Sequence, residues 1–141
     1  MRKRMTKDII SSDKSTKKIL IVDDDEGTRY MIRRLLTIER NYIIEEAVNG
    51  NDAQEKLKKF KADLIVLDVM MPEKDGYKTC REIRDDLKMN NVKIIGISGC
   101  PGEIGKIFIE EYGADRFLEK PFTLIEFKET ISKLLKEKRH E

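Results

Sequence analysis

Polar and charged residues follow four apolar runs of this sequence, each at the point where the run ends. They are Asp23, Asp24, Asp25, Asp68, Ser98, Glu119 and Lys120. A single carboxylate after an apolar run is ambiguous, because it is either a helix N-cap where a strand surfaces or a reactive group at the mouth of a site. The question is sharpest for Asp68, which ends "LIVLD" and precedes a Met-Met-Pro loop.

Carboxylates that converge need a positive charge close to them. If Asp23, Asp24 and Asp68 lie together, their repulsion raises their pKa values and favours protonation. A divalent cation relieves that repulsion, and a set of oxygen ligands without His or Cys indicates Mg²⁺. Lys120 offers a second positive charge. The pattern therefore predicts a pocket for a phosphoryl group, with Asp68 as the nucleophile and with Mg²⁺, Lys120 and the Ser98 hydroxyl neutralising the phosphoryl oxygens.

The elements that must position these residues alternate along the chain between apolar runs and helical patterns. Apolar runs predict strands at 18–22, 42–47, 63–67, 92–97 and 115–119, and 3.6-residue periodicity predicts helices at 27–39, 49–60, 77–87, 101–112 and 123–137. The strands are continuously apolar, which is typical of a parallel sheet covered on both faces, and the second strand is more polar and favours a sheet edge. Right-handed crossovers then make a three-layer α/β sandwich, with its site at the carboxyl ends of the strands.

Composition limits the class of protein. The 141 residues are 39% hydrophobic and 40% charged, and no apolar stretch approaches the roughly 18 residues of a membrane span. Residues 1–18 carry seven Lys/Arg and two Asp, so a basic tail precedes a mildly acidic domain. This tail is interpreted as a disordered arm, with nucleic-acid binding as the alternative. Cys80 and Cys100 have no metal-ligand spacing and indicate reduced thiols in the cytoplasm.

Three segments together resemble a known family. "ILIVDD", "LIVLDVMMPEKDG" and "FLEKPF" are similar to the motifs of the receiver domain of two-component response regulators, of the single-domain chemotaxis-regulator or phosphorelay type. The resemblance implies a flavodoxin-like α/β/α sandwich with five helices and a five-stranded parallel sheet in the order 2-1-3-4-5. The expected division is a disordered tail at 1–17, a receiver domain at 18–137 and a C-terminal tail at 138–141.

The resemblance also implies a metal site. Asp68 would be the phosphoacceptor and a Mg²⁺ ligand, and Asp24 would bind the metal directly. Asp23 would act mainly through a metal-bound water, and Met70 would offer its backbone carbonyl, so that its side chain is free to vary.

Further residues take family roles on the phosphoryl side. Ser98 stands where a Ser or Thr closes on the phosphate, Lys120 pairs with it, and Lys120–Pro121 is expected to be a cis peptide. Ser98 and Phe117 take the positions of the switch residues, and Phe117 would turn inward on activation. Plain core packing is the alternative interpretation of Phe117.

The function implied is that of a stand-alone response regulator receiver. It would accept a phosphoryl group on Asp68 from a sensor histidine kinase or a histidine phosphotransfer protein. It would then signal or relay to an effector through the surface of the fourth helix, fifth strand and fifth helix. Neither substrate turnover nor direct DNA or membrane binding is expected, and the state would be a monomer or a weak phosphorylation-dependent dimer.

Three alternatives use the same residues or topology. "DDDEGT" resembles the opening of haloacid-dehalogenase-type phosphatases, but Gly27 stands at their Thr position in one register and Glu26 at their second Asp in the other. A flavodoxin-type flavin site would need a phosphate loop where the sequence has three aspartates, which would repel the phosphate. A phosphorylation-independent interaction module is the third, although such a module would be expected to lose Asp or Lys from the cluster.

Overall fold

Five strands and five helices alternate in the computed structural model, which describes residues 16–38, 42–68, 76–99 and 104–137. The strands are β1 (Lys18–Val22), β2 (Ile43–Ala47), β3 (Leu64–Asp68), β4 (Lys93–Ser98) and β5 (Arg116–Glu119). The helices are α1 (Glu26–Thr37), α2 (Gly50–Leu57), α3 (Gly76–Asp85), α4 (Ile104–Tyr112) and α5 (Leu124–Lys136).

The strands form one sheet in the order β2-β1-β3-β4-β5, and every neighbouring pair is parallel. The predicted fold class and strand order are therefore confirmed, as is the position of β2 at an edge of the sheet. The strand order reverses between β1 and β3: from β1 the chain adds β2 on one side, and then adds β3, β4 and β5 on the other side. Residues at the carboxyl ends of these two central strands are therefore brought side by side.

Two hydrophobic cores cover the two faces of the sheet, because successive side chains of a strand point in opposite directions. Leu20 and Val22 of β1 belong to the α2–α3 core, in which residues of α2 and α3 pack on the sheet. Ile19 and Ile21 belong to the α1–α5 core on the other face. All four are fully buried, which explains why β1 is apolar throughout instead of alternating with polar residues.

The ends of the helices are fixed by side chains that satisfy free backbone N–H groups. Asn49 accepts a hydrogen bond from the backbone N–H of Asp52 at the start of α2. Thr123 and Glu126 form a reciprocal capping box at the start of α5. Among the described helices, none is both long enough and apolar enough to cross a membrane.

Several boundaries and faces differ from the sequence prediction. Asp68 and Ser98 are the last residues of β3 and β4, whereas the sequence placed both just after the strands. The sheet ladder continues this far because the backbone of Asp68 pairs with Ile97. The first three residues of the fourth predicted helix, 101–103, lie outside the described residues.

Helical periodicity in the sequence predicts an inward apolar stripe for two helices, and both stripes are too wide. The predicted stripes are Met31, Ile32, Leu35, Leu36 and Ile38 in α1, and Leu124, Phe127, Ile131, Leu134 and Leu135 in α5. Ile32 and Leu36 of α1 are buried, but Met31 and Ile38 are 42% and 55% exposed. Leu124 at the start of α5 is 38% exposed. A helix that lies on a sheet buries only the residues that point straight at it, and apolar residues on its flanks stay in solvent.

A buried arginine ties together the loops that lead into β4 and β5. Arg84 of α3 donates to Asp115 Oδ2 at 2.9 Å, and Asp115 also accepts from the backbone N–H of Ile94. The guanidinium also donates to three backbone carbonyls. Those are the carbonyls of Met89, Val92 and Gly113. Each of the three nitrogens of this guanidinium therefore donates at least one hydrogen bond, as a buried charge requires.

We expect Arg84→Ala to lower the free energy of unfolding by about 3–5 kcal/mol, because it leaves Asp115, whose side chain is only 15% accessible, without its cation. Urea denaturation followed by circular dichroism measures the change. The matched control is Arg116→Ala, because Arg116 forms an exposed ion pair with Glu137 in which both side chains are 44% accessible. That control should cost less than about 1 kcal/mol. Equal losses in the two variants would contradict this account of the Arg84 network.

Candidate functional site

Three carboxylates meet at the carboxyl ends of the two central strands. Asp23 and Asp24 directly follow β1, and Asp68 ends β3, its neighbour in the sheet. One carboxylate oxygen from each lies within 4.8 Å of the others. Asp23 is buried, Asp68 is half-buried and Asp24 is exposed, so the cluster opens from the end of the sheet towards solvent. The structure therefore brings together the three acidic residues that the sequence predicted to converge.

The position of Asp23 is set by its own backbone and by the next turn of the chain. Its N–H donates to the carbonyl of Ala47 at 3.1 Å, which extends the β1–β2 pairing by one residue. Its Oδ1 accepts from the backbone N–H of Asp25 at 2.9 Å. These two contacts turn the Asp23 carboxyl group inward, where 2% of the residue is exposed.

The pKa of the Asp23 carboxyl group is raised from 3.8 to about 6, and burial is the largest cause of this rise. The negative charge of Asp68, and a hydrogen bond between these two carboxyl groups, also contribute to the rise. The backbone N–H of Asp25 and the charge of Lys120 lower this pKa, but they offset only part of the increase. The cluster thus holds its negative charge poorly by itself, as expected of a site that binds a cation.

The third aspartate of the acidic run has a structural role. Asp25 is the N-cap of α1, and its Oδ2 accepts from the backbone N–H of Thr28 at 2.8 Å and from the Thr28 hydroxyl at 2.7 Å. These bonds lower the pKa of the Asp25 carboxyl group. The sequence left open whether Asp24 or Asp25 caps the helix. The structure assigns the cap to Asp25 and leaves Asp24 in the acidic cluster.

Ser98 and Lys120 lie at the carboxyl ends of β4 and β5, at the same end of the sheet as the three carboxylates. Ser98 ends β4 and is 1% exposed, and the sheet register places it one residue beyond the partner of Asp68. The backbone N–H of Lys120 donates to the carbonyl of Ser98 at 2.8 Å, just beyond the last pair of β4 and β5. The Lys120–Pro121 peptide is cis, so this expectation from the sequence is confirmed.

The remaining predicted positions stand as follows. Met70, predicted to offer a backbone carbonyl to the metal, lies outside the described residues. Phe117 is half-buried on β5 and packs against the α2–α3 core. That packing is the alternative that the sequence left open for Phe117, and its role as a switch stays a prediction.

Sequence reasoning missed two residues that hold the acidic loop. Arg29 of α1 donates from Nη1 to the backbone carbonyl of Asp23 at 2.8 Å and from Nε to Glu46 Oε1 at 2.9 Å. Burial by itself would raise the pKa of Glu46, but hydrogen bonds from Arg33 and Arg29 outweigh it and lower that pKa. The sequence offers one signal for the role of Arg29, namely its position one helical turn after Asp25. A cation at this spacing is common on solvent-facing helices, so this signal is weak.

The chain matches the family model described as the response regulator receiver domain over residues 19–132. It is 40% identical over 106 residues to the transcriptional regulatory protein ResD of Bacillus subtilis, which covers 75% of this chain and 42% of ResD. It is 35% identical over 127 residues to histidine kinase P4 of Formosa agariphila, which covers 90% of this chain and 9% of that protein. The chain thus spans less than half the length of these two relatives.

The fold is similar to solved structures as well. The chemotaxis protein CheY4 of Vibrio cholerae superposes with a TM-score of 0.77 at 27% sequence identity. That comparison covers 84% of this chain and 98% of CheY4.

The raised pKa of Asp23 predicts how the stability of the metal-free protein depends on pH. The folded state binds this proton more tightly than the unfolded state does, so the resulting stabilisation is fully present below about pH 4 and is lost as the pH rises through about 6. Asp23→Asn keeps an oxygen for the Asp25 N–H but cannot ionise. We therefore expect this variant to be more stable than wild type by about 2–3 kcal/mol at pH 8 and equally stable near pH 4.

Urea denaturation in the presence of a chelator, at pH 4.5 and pH 8, measures this difference. Asp86→Asn serves as the matched control, because Asp86 is exposed after α3 and lies outside the acidic cluster. It should leave the pH dependence of stability unchanged. A constant difference between Asp23→Asn and wild type across this pH range would show that ionisation of Asp23 is not the cause.

Proposed function

This chain belongs to the response regulator receiver domain family, and on that premise we propose that Asp68 accepts a phosphoryl group from a phosphohistidine of a partner protein. The donor would be a sensor histidine kinase or a histidine phosphotransfer protein. The observation that carries the proposal is the meeting of Asp23, Asp24 and Asp68 at the point where the strand order reverses.

The chemistry needs a carboxylate that reaches solvent beside groups that balance negative charge. Asp68 is half-buried at the end of β3, so one face of its carboxylate can meet a donor. A carboxylate oxygen of Asp68 would attack phosphorus, the P–N bond to the imidazole would break, and the imidazole would take a proton. The product is an aspartyl phosphate. Lys120 and the Ser98 hydroxyl would contact the phosphoryl oxygens that gain negative charge.

The donor set fits Mg²⁺. Three carboxylates without His or Cys are the hard oxygen ligands that this ion prefers, and the exposed Asp24 leaves room for the waters that it keeps. We propose that Asp24 and Asp68 bind it directly, that Asp23 acts through a metal-bound water, and that the backbone carbonyl of Met70 completes the protein ligands. When bound, Mg²⁺ would offset the mutual repulsion of the carboxylates and the charge of the incoming phosphoryl group.

The output surface that we propose consists of α4, β5 and α5. Ser98 would close on the phosphoryl group and Phe117 would turn inward behind it, which changes the packing between β4 and β5. This surface already exposes apolar residues, since Ile107 and Ile109 of α4 are each 39% accessible. Such residues on an exposed face can be covered by an effector or by a second copy in a weak, phosphorylation-dependent dimer.

We propose that residues 18–137 are the receiver domain, flanked by a basic N-terminal tail at 1–17 and a C-terminal tail at 138–141. The receiver would signal in the cytoplasm through a separate effector or relay partner, without contacting DNA itself and without turning over a substrate. The matched solved structure, CheY4, is a chemotaxis protein of which 98% is covered. The matched regions of ResD and histidine kinase P4 are parts of longer proteins, so their other activities are not transferred.

Mg²⁺ should stabilise the folded protein at pH 8. If it binds only the folded state, a concentration of roughly 100 times its dissociation constant adds about 2.7 kcal/mol to the free energy of unfolding. Asp24→Asn should remove most of this gain. Glu55→Gln is the matched control, because Glu55 is an exposed carboxylate on α2 outside the cluster, and this variant should retain the gain. Urea denaturation with and without Mg²⁺ measures it, and an equal gain in Asp24→Asn would place the ion elsewhere.

Phosphorylation tests the proposal directly. Incubated with a small acyl phosphate and Mg²⁺, the wild-type chain should gain one phosphoryl group that hydroxylamine removes, as expected of an acyl phosphate. Asp68→Asn should gain none, because it lacks the nucleophile. Asp86→Asn, at an exposed aspartate after α3, should behave as wild type. Intact-protein mass spectrometry gives the stoichiometry.

Two results would contradict the proposed function. A phosphoryl group retained by Asp68→Asn would mean that another residue accepts it. A wild-type chain that stays unphosphorylated with both acyl phosphate and a phosphohistidine donor, although it is folded and binds Mg²⁺, would favour a phosphorylation-independent interaction module.

A further inference from the structure

We propose that Arg29, held in place by Glu46, is a positioning residue that fixes the backbone of Asp23 so that the acidic cluster keeps its cation-binding geometry. Arg29 need not touch the cation or the phosphoryl group for this role. The inference rests on the proposed function, since it concerns the metal site of the same receiver.

Arg29 joins three parts of the fold with one side chain. It begins on α1, its Nη1 donates to the carbonyl of Asp23 in the β1–α1 loop at 2.8 Å, and its Nε donates to Glu46 of β2 at 2.9 Å. The side chain is 13% exposed, so water competes weakly for these donors. A planar guanidinium makes both contacts from separate nitrogens held in one rigid plane, whereas an ammonium group has its three donors on a single nitrogen and lacks this fixed geometry.

Glu46 is itself held firmly. Its backbone is fixed by the pairing of β2 with β1, and its backbone carbonyl accepts from the ammonium group of Lys56. Arg33 uses the other carboxylate oxygen, Oε2, at 2.6 Å, and not the Oε1 that Arg29 contacts. The residue sits in β2, in register with Ile21 of β1. Glu46 therefore gives Arg29 an anchor that is part of the sheet and not of a loop.

The peptide groups on both sides of Asp23 are consequently fixed. Its N–H donates to Ala47 of β2, and its C=O accepts from Arg29, which is anchored on the neighbouring Glu46. The inward direction of the Asp23 carboxylate depends on these backbone bonds as well as on the N–H of Asp25. Loss of the Arg29 contact would free the peptide between Asp23 and Asp24, from which the exposed member of the cluster projects.

Charge and geometry predict opposite effects of removing Arg29. A cation close to the cluster repels Mg²⁺, so if its charge were its main effect, Arg29→Ala would tighten Mg²⁺ binding. If Arg29 positions the ligands, the same substitution weakens binding, as is usual when an outer partner of a metal ligand is removed. The direction of the change therefore distinguishes the two roles.

The test is Mg²⁺ titration of the full, unphosphorylated chain by calorimetry at pH 8. We expect Arg29→Ala to bind Mg²⁺ roughly tenfold more weakly than wild type. Arg29→Lys keeps the charge but lacks the rigid fork that holds both acceptors, so its affinity should fall between those of wild type and Arg29→Ala. Because Mg²⁺ affinity is measured on folded protein, a purely structural loss of stability does not change it, and urea denaturation confirms that each variant is folded.

Arg33→Ala is the matched control. Arg33 lies one turn further along α1, and it donates to the same Glu46 carboxylate. Within the described residues, the side chain of Arg33 donates to Glu46 and not to Asp23. This substitution removes an arginine and an ion pair of the same kind but leaves the Asp23 carbonyl held, so Mg²⁺ affinity should stay within about twofold of wild type.

The outcomes separate the two levels of inference. Mg²⁺ affinity that is unchanged or tighter in Arg29→Ala, or that falls equally in Arg33→Ala, would overturn the positioning role while leaving the proposed function in place. A wild-type chain that binds no Mg²⁺ would overturn the metal site of the proposed function and this inference with it. If Arg29→Ala does not fold, the Arg29→Lys and Arg33→Ala pair decides, since the first should bind more weakly than the second.

Discussion

Repulsion among three carboxylates is the constraint around which the rest of this structure is arranged. Asp23, Asp24 and Asp68 place ligand oxygens within 4.8 Å of one another, and one of the three is almost fully buried. Such a group favours any movement that separates its members. The chain prevents that separation by attaching two members to the end of β1 and one to the end of β3, two neighbouring inner strands of the sheet with four buried residues each. The two cores on either face stabilise those strands, so the repulsion cannot relax by moving them apart.

Hydrogen bonds at the carboxyl end of the sheet also hold the site residues in place. The N–H of Asp23 extends the β1–β2 ladder, and the N–H of Lys120 extends the β4–β5 ladder to the carbonyl of Ser98. Asp68 and Ser98 are themselves strand residues. The groups proposed for phosphoryl transfer are therefore fixed by backbone bonds of the sheet or just beyond it. Asp24 is the exposed member of the acidic cluster, where waters around a cation could exchange with solvent.

The sequence predicted the parts of this arrangement that depend on local pattern. Continuous apolar runs predicted all five strands to within a residue or two. The residues that follow these runs predicted the acidic cluster, because the carboxyl ends of parallel strands lie at the same end of the sheet. The last residues of β3 and β4 were missed, since a polar residue at a strand end looks the same as the first loop residue. Met31, Ile38 and Leu124 were placed inward wrongly, because periodicity gives the face of a helix but not the width of the contact.

The Arg29–Glu46 bridge could not be predicted because it depends on how closely α1 approaches β2. Arginines 29 and 33 follow the helical spacing of an ordinary charged face, and Glu46 alternates with Glu45 on a strand that reads as a polar edge. Only the packing of α1 across β1 brings them together. Residues that position a site through another residue's backbone leave little trace in a single sequence, because any side chain can offer the backbone carbonyl that they bind.

The two ends of the sheet treat buried charge in opposite ways. At the amino ends of β4 and β5, Arg84 donates to Asp115 and to three backbone carbonyls. Lys93 donates to the carbonyls of Leu134 and Glu137 at the end of α5. Both cations have hydrogen-bond partners within the protein, and these contacts stabilise the fold. At the carboxyl ends, negative charges face one another, and the protein supplies only part of the compensation. The remaining imbalance is what makes this end, and not the other, suited to the cation and the phosphoryl group that we propose.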